Sequence, residues 1–298
     1  MVKRIWVLLL CALLLSACGS VRKYLVMLPP GWSGMLERPT NGGLAGVYID
    51  ADMSDVRARD LALAIQEARR RVIAVWGSVV TAPVLFACST EACFHRLGGA
   101  TNTAHSLGDR RMVLSPRGLD AGMIAHEWSH AEMYRRVGGL LAMLRVPRWF
   151  DEGVAVLTSR DPRHGEGVWR KIRARGIEPH VGELRSRAQW SDAVHRYRDS
   201  RRNPDNLAVV YAAAGHLIAA WYARAGRAGL LHVIDRVRAG DAFEPVWRAV
   251  ASLQLAAATT IPCSCAAQRA SLLPVFVRPG REKRLPEHRG SLARRLAR

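Results

Sequence analysis

Residues 120–138 read DAGMIAHEWSHAEMYRRVG, and this stretch sets the expected fold. Asp120 is a favoured N-cap residue and Gly138 a favoured helix terminator, and the apolar residues between them recur at helical spacing. We therefore predict a helix that begins after Asp120 and ends before Gly138. On such a helix His126 and His130 are four residues apart, so their side chains lie on the same face.

Two imidazoles at this spacing can bind one metal ion. Glu127 is next to His126 in the sequence, and its carboxylate can reach a water molecule near the metal rather than the metal itself. A catalytic zinc site usually has three protein ligands. The H-E-x-x-H motif therefore predicts a metal site that needs a further ligand from another part of the chain.

A second motif lies at residues 147–155, which read PRWFDEGVA. Pro147 predicts the start of a helix that we extend to Thr158. An H-E-x-x-H helix followed by W-F-x-E-G-x-A on the next helix resembles the gluzincin zinc metallopeptidases, in particular their peptidase MA-like branch. The resemblance covers residues 105–240 and is strongest over residues 120–157.

The resemblance implies an α+β fold in which a small mixed β-sheet lobe packs on a mainly helical lobe, with one zinc ion in the cleft between them. It implies that His126, His130 and Glu152 bind the zinc. It also implies that Glu127 is the general base in the hydrolysis of a peptide or protein substrate.

Further parts of the family layout are present. Residues 210–217 read VYAAAGHL and look like the helix that supplies an active-site tyrosine, a role that falls on Tyr211. A phenol there would donate a hydrogen bond to the oxyanion, and His216 is a weaker candidate for a similar role. The predicted strand at residues 111–115 looks like the edge strand along which a peptide substrate lies.

The sequence also departs from the family. Val156 stands where the thermolysin branch has an aspartate, and the G-x-M-E-N motif of the aminopeptidases is absent from the sequence. An endopeptidase is therefore favoured over an exopeptidase. Asp151 could orient a metal ligand, but an acid exposed at the start of a helix is the preferred interpretation.

The remaining aromatic residues and histidines receive plainer interpretations. Trp128, Trp149 and Phe150 are expected in the core or in a pocket wall. Six other histidines lack ligand spacing and are interpreted as surface or core residues: His95, His105, His164, His180, His195 and His232.

The N-terminus resembles a bacterial lipoprotein signal. Lys3 and Arg4 precede an apolar run that is too short to span a bilayer comfortably, and Leu-Ser-Ala-Cys follows at residues 15–18. The resemblance implies that Cys18 is lipidated and anchors the protein in the bacterial cell envelope. Gly19, where an aspartate would mark retention in the inner membrane, favours the outer membrane. An ordinary secretory signal with an incidental cysteine is the alternative.

Export would place the remaining cysteines in an oxidising compartment. Cys88 and Cys93 could close a small loop by a disulfide, whereas Cys263 and Cys265 are too close in sequence for an easy bridge between them. Four cysteines allow three pairings, and the pattern does not choose among them.

The formal net charge of +19 favours anionic surroundings. Nucleic acid is not expected as a partner, because the sequence has no zinc-finger, RRM or KH signature and the signal predicts export. The tail from residue 278 is rich in Arg and Lys and is predicted to be disordered. It could contact anionic lipid or an acidic polymer.

The other elements complete a domain plan. Strands are predicted at residues 46–49 and 83–87. Helices are predicted at residues 55–76, 90–97, 205–225 and 228–238, and Gly226 separates the last two. Residues 160–204 receive no assignment.

The predicted domain organisation has four parts. They are a signal peptide at residues 1–17, a tether at 18–44, a zincin-like domain at 45–250, and a cysteine-containing segment with a basic tail at 251–298. The zincin-like domain consists of an α/β lobe at 45–117 and a helical lobe at 118–250.

The expected function is that of a lipid-anchored, zinc-dependent metallopeptidase of the cell envelope. The alternative is a non-catalytic envelope lipoprotein whose peptidase-like domain binds a partner or the cell-wall polymer. In the first case one equivalent of zinc should copurify with the protein, and in the second case none.

The lipid anchor gives a first testable prediction. We expect Cys18→Ser to abolish lipidation and to move the protein out of the membrane fraction, because the resemblance implies a diacylglyceryl group joined to the Cys18 sulfur by a thioether. The fractions are compared after a high-salt wash, since the basic tail could hold anionic membranes by charge alone. A variant that stays as membrane-bound as the parent after that wash would contradict the lipoprotein assignment.

Overall fold

The computed structural model describes residues 34–38 and 42–259, with the backbone alone at residue 181 and residues 252–259. The chain divides into two units, Met1–Ala257 and Ala258–Arg298, and the fold below belongs to the first. The predicted signal peptide with Cys18, the pair Cys263 and Cys265, and the basic tail lie outside the described residues. Within the described part, no helix has the length and hydropathy needed to cross a membrane.

The fold is of the α+β class and combines a five-stranded mixed sheet with a larger set of helices. The strands are β1 (Leu36–Arg38), β2 (Gly46–Ile49), β3 (Val84–Ala87), β4 (Ala104–Leu107) and β5 (Arg111–Leu114). The helices are α1 (Asp55–Trp76), α2 (Glu91–Arg96), α3 (Ala121–Val137), α4 (Leu140–Met143), α5 (Arg148–Ser159), α6 (Glu166–Ala174), α7 (Arg187–Arg196), α8 (Val209–Ala239) and α9 (Phe243–Thr259).

The sheet order is β1-β2-β3-β5-β4. Strands β2, β3 and β5 run parallel, and β1 and β4 flank them antiparallel. The expectation that residues 111–115 form the edge strand is therefore wrong. A short connection after Leu107 returns the chain so that β4 covers the free side of β5, and β4 becomes the edge.

Several predicted boundaries agree with the structure, and others differ. Helices α1, α3 and α5 begin and end within a residue of the predicted limits. The stretch expected to be an irregular tether contains β1, which pairs with β2. The unassigned residues 160–204 form α6, α7 and two 3-10 helices, Pro162–His164 and Val181–Leu184. Helix α9 continues past the boundary placed at residue 250.

Helix α3 contacts α1, α5, α8 and strands β4 and β5, and its ends form as the sequence predicts. The Asp120 carboxylate accepts a hydrogen bond from the Met123 amide at 2.9 Å, and Gly138 ends the helix with a φ of 100°. That left-handed conformation strains any residue that has a Cβ, which explains the glycine. Trp128 is fully buried on this helix, and its indole donates to the Thr81 hydroxyl at 3.0 Å.

A buried carboxylate fixes α3 to the segment before β3. Glu132 is fully buried and accepts hydrogen bonds from the amides of Val80 and Thr81, from the Thr81 hydroxyl and from the Arg136 guanidinium. A buried carboxylate without such partners would cost several kcal/mol, roughly, so this network ties the helix to one position against the sheet.

Helices α5 and α8 approach each other closely because both carry a glycine at the contact. A Cβ on Gly153 would lie 2.4 Å from Ile218 Cγ1 and 2.7 Å from the Ala214 carbonyl oxygen, and a Cβ on Gly215 would lie 2.3 Å from Val156 Cγ1. The helices therefore pack backbone to backbone at this point. That packing brings the start of α8 to the start of α5.

Two further features match residues that the sequence singled out. Cys88 and Cys93 are joined by a disulfide between the end of β3 and α2. Gly226 has φ 61° and ψ −171°, which interrupts the helical geometry of α8 at the predicted position.

The close helix contact gives a prediction about stability. We expect Gly153→Ala to lower the free energy of unfolding by about 1–3 kcal/mol, because the added methyl group overlaps backbone and core atoms of α8. The matched control is Gly167→Ala in α6, where nothing lies within 4 Å of the new Cβ. Chemical denaturation of both variants measures the difference. Equal stabilities of the two variants would contradict the packing argument.

Candidate metal centre

Three side chains that the sequence predicted as ligands lie together in the structure. His126 and His130 extend from successive turns of α3, and Glu152 extends from the first part of α5, which packs across α3. His126 and Glu152 are buried and His130 is half-buried. This group could hold a metal ion.

The distances between the candidate ligand atoms match those between the ligands of one tetrahedral metal ion. His126 Nε2 lies 3.2 Å from His130 Nε2 and 3.2 Å from Glu152 Oε2, and His130 Nε2 lies 3.5 Å from Glu152 Oε2. Ligands at about 2.0–2.1 Å from a tetrahedral ion are separated by about 3.3 Å. The three atoms are therefore spaced for a common ion.

The two oxygens of Glu152 have different surroundings. Oε1 lies 2.5 Å from Arg148 Nη2, one turn earlier on α5. Oε2 is buried, and among the described residues no group makes a hydrogen bond to it. Since buried polar atoms are almost always satisfied, an orphaned oxygen that faces two imidazole nitrogens fits a cation at that position.

Asp151 contacts the His130 ring on the side away from the group. Its Oδ1 lies 2.9 Å from His130 Nδ1, and its Oδ2 lies 3.1 Å from Arg148 Nη1. A neutral His130 that donates from Nδ1 has a bare lone pair on Nε2, the atom that faces His126 and Glu152. The interpretation of Asp151 as an exposed acid is wrong, because its relative exposure is only 2%.

The buried carboxylates also shift the ionisation of the group. Burial lowers the pKa of His130, but the charges of Asp151 and Glu152 outweigh burial and hold that pKa well above its ordinary value. Burial raises the pKa of Glu152, but His130 and Arg148 outweigh it and hold that pKa well below its ordinary value. Glu152 is therefore an anion, and the site attracts positive charge.

Glu127 is buried, and its oxygens are not part of the ligand group. One residue beyond His126, it is rotated by about 100° around the helix axis. Its charge reaches His105 on β4, Arg148 on α5 and Tyr211 on α8, and it contributes to raising the pKa of each. The carboxylate thus faces the space between α3 and these three residues.

Tyr211 lies near the group at the third position of α8. Burial first, and then the charge of Glu152, raise the pKa of its hydroxyl, so the phenol keeps its proton. No hydrogen-bond partner of that hydroxyl occurs in the described part of the chain. His216, the weaker candidate, is engaged elsewhere: its Nδ1 lies 3.0 Å from Glu166 Oε2, and its ring stacks on Trp169.

Two histidines interpreted only as surface or core residues lie beside the site. The His164 ring is 5.4 Å from the Tyr211 ring and 6.5 Å from the His126 ring. Burial and the neighbouring His126 lower the pKa of His164 to about 4, so it is neutral at ordinary pH. His105 also has a lowered pKa, because burial outweighs the attraction of Glu127.

Arg148 and His164 are the functional residues that the sequence reasoning missed. Arg148 precedes Asp151 and Glu152 by three and four residues, the spacing at which charged side chains pair on a helix. The sequence could therefore have predicted that Arg148 pairs with these carboxylates. For His164 the sequence offers no such spacing, because the connection from α5 through Pro162–His164 to α6 brings it to the site.

The chain matches no family model and no curated protein, so a functional assignment depends on the site itself.

The ligand group gives a prediction about metal binding. We expect Glu152→Ala to lose most of its zinc affinity, because an anionic ligand is removed. Asp151→Asn should lower the affinity by about 10–100-fold through the orientation of His130. Glu166→Gln, which removes an exposed carboxylate, is the matched control. Zinc content is measured after dialysis against a competing chelator. If Glu152→Ala retains a full equivalent, the third ligand lies elsewhere.

Proposed function

We propose that the protein is a zinc-dependent metallopeptidase, favoured as an endopeptidase, held at the bacterial cell envelope by a lipid anchor on Cys18. One observation supports the zinc site of this proposal. His126 Nε2, His130 Nε2 and Glu152 Oε2 lie 3.2–3.5 Å from one another, and Glu152 Oε2 has no hydrogen-bond partner in the described part of the chain. Two histidines and one glutamate are a ligand set of catalytic zinc sites, which keep a further position open.

Zinc bound to these residues would polarise the scissile carbonyl and lower the pKa of a water molecule to near neutral. Glu127 then acts as general base at its carboxylate and takes a proton from the attacking water. The same carboxyl group delivers that proton to the nitrogen of the leaving amine. Its place outside the ligand group, facing β4, α5 and α8, suits this role.

Tyr211 supports the step as a hydrogen-bond donor. Its phenol keeps its proton because burial and Glu152 raise its pKa, and its hydroxyl has no partner among the described residues that would compete for that proton. A donor of this kind stabilises the negative charge that develops on the carbonyl oxygen. The neutral ring of His164 lies beside the Tyr211 ring.

The substrate is a peptide or protein segment in extended conformation. Strand β4 is one of the two edges of the sheet, and no strand of the described residues pairs with its outer side, so that side of its backbone could pair with an added strand. His105 lies on this strand and near Glu127, which brings a peptide bound along β4 to the general base.

The first experiment is cleavage of an unbiased peptide library with and without a chelator. Chelator-sensitive cleavage supports the peptidase. A protein that lacks bound zinc and cleaves nothing supports the alternative, an envelope lipoprotein that binds a partner or the cell-wall polymer.

The general base is tested by Glu127→Gln. We expect zinc content and thermal stability close to those of the parent, since the substitution keeps the shape and removes no ligand. Hydrolysis should fall by about a hundredfold or more, because proton transfer is lost. Tyr211→Phe should act more mildly, by about tenfold to a hundredfold, since it removes one of several oxyanion donors.

Metal analysis and kinetics on the same preparations separate the outcomes. Loss of zinc in Glu127→Gln would make Glu127 a ligand. Full activity with zinc retained, on a substrate that the parent cleaves, would refute proton transfer through this residue.

A further inference from the structure

Strand β4 runs alongside helix α3 in the same direction, and three neighbouring pairs mark its course. At the start, Thr103 and Met123 line one small cavity together. In the middle, His105 lies near Glu127. At the far end, a Cβ on Gly108 would lie 3.3 Å from the Tyr134 ring.

A larger cavity of about 1090 Å³ opens at this far end. Leu107 and Gly108 from the end of β4 line it together with Tyr134 from α3. Tyr134 follows His130 by four residues and therefore lies one turn further along the helix face that carries the metal ligands. The cavity thus continues the line from the metal group along the edge strand.

Arginine is the most frequent residue in the lining of this cavity. The lining includes five arginines and two aspartates: Arg110, Arg111, Arg135, Arg136, Arg238, Asp109 and Asp235. Arg135 lies 3.6 Å from Asp109, and Arg136 is held by Glu132. Arg111 lies over the Phe86 ring.

Arg110 and Arg238 stand apart from the others. Both are exposed, and in the part of the chain that the structure describes neither makes an ion pair. The charge of Arg110 contributes, after burial, to lowering the pKa of Arg111, so these two positive charges repel each other. An anionic group that enters between them relieves this repulsion.

We propose that this arginine pocket, defined by the lining residues above, is a substrate subsite that selects an aspartate or glutamate side chain. This inference rests on the proposed function, and it names the class of substrate: peptides with an acidic residue on one side of the scissile bond. The acidic side chain pairs with Arg110 and Arg238 while the peptide backbone lies along β4.

The position of the acidic residue follows from the geometry. Four residues of helix advance by about 6 Å, and a strand advances by about 3.3 Å per residue. The distance along the helix from His130 to Tyr134 therefore corresponds to about two residues of an extended peptide. The preferred acid lies about two residues from the scissile bond, and only on the side that points along β4 towards Leu107.

The test uses two peptide series that differ at one position, with Asp or Glu in one and Asn or Gln in the other. The parent should prefer the acidic peptides by about fivefold to tenfold, the effect of two partly exposed ion pairs. In the double variant Arg110→Gln with Arg238→Gln the preference should fall to less than about twofold, mainly through slower cleavage of the acidic peptides. Added salt should weaken the parental preference.

The matched control is Arg59→Gln with Arg224→Gln, which removes the same charge from exposed arginines outside the pocket. It should keep the full preference. An equal loss in the control would mean that net charge, and not the pocket, attracts the acidic peptides.

A binding measurement separates this proposal from the proposed function. The Glu127→Gln protein is titrated with fluorescent acidic and amide peptides, and affinity is measured by anisotropy. If the parent cleaves both series at equal rates and the Glu127→Gln protein binds both with equal affinity, the proposed subsite is wrong and the proposed peptidase function is unaffected. Acidic peptides that bind through Arg110 and Arg238 but are not cleaved by the zinc-loaded parent uphold the pocket and overturn the peptidase.

Discussion

The site depends on two adjacent carboxylates buried at the place where α5 crosses α3. Asp151 and Glu152 each have a relative exposure of 2%. Burying one charge is costly unless it is paired, and here two like charges are neighbours in sequence. Arg148 contacts both but supplies only one positive charge. The remaining negative charge raises the pKa of His130, so a proton on that imidazole, or a cation bound beside it, compensates the charge.

The same constraint explains how the two carboxylates divide their roles. Asp151 uses both oxygens, one on His130 and one on Arg148, so it has no oxygen left for an ion. Glu152 gives Oε1 to Arg148 and keeps Oε2 directed at the two imidazoles. Arg148 thus fixes the position of Glu152 through one oxygen. The close approach of Gly153 to α8, one residue later, holds this part of α5 against the helix that carries Tyr211.

The sequence predicted the local parts of this arrangement well. The ligand spacing on α3, the cap at Asp120 and the terminator at Gly138 are all read within one helix, where sequence distance fixes spatial distance. The prediction that residues 111–115 form the edge strand was wrong because sheet order depends on contacts between distant parts of the chain. The sequence of Arg111–Leu114 does not indicate that another strand pairs with it on each side. The burial of Asp151 was missed for a similar reason. An acid at a helix start is common on surfaces, and only the packing of α5 across α3 removes it from solvent.

Two glutamates five residues apart on α3 show how far environment separates identical side chains. Glu132 is surrounded by donors from Val80, Thr81 and Arg136, so its charge is compensated and its carboxylate is fixed. The carboxylate of Glu127 accepts no hydrogen bond from any residue that the structure describes, although it is buried. Because the two positions differ by 500° of helix rotation, about 140° apart in projection, they point to different sides of α3. One side anchors the helix to the segment before β3, and the other carries a buried carboxylate without hydrogen-bond partners among the described residues.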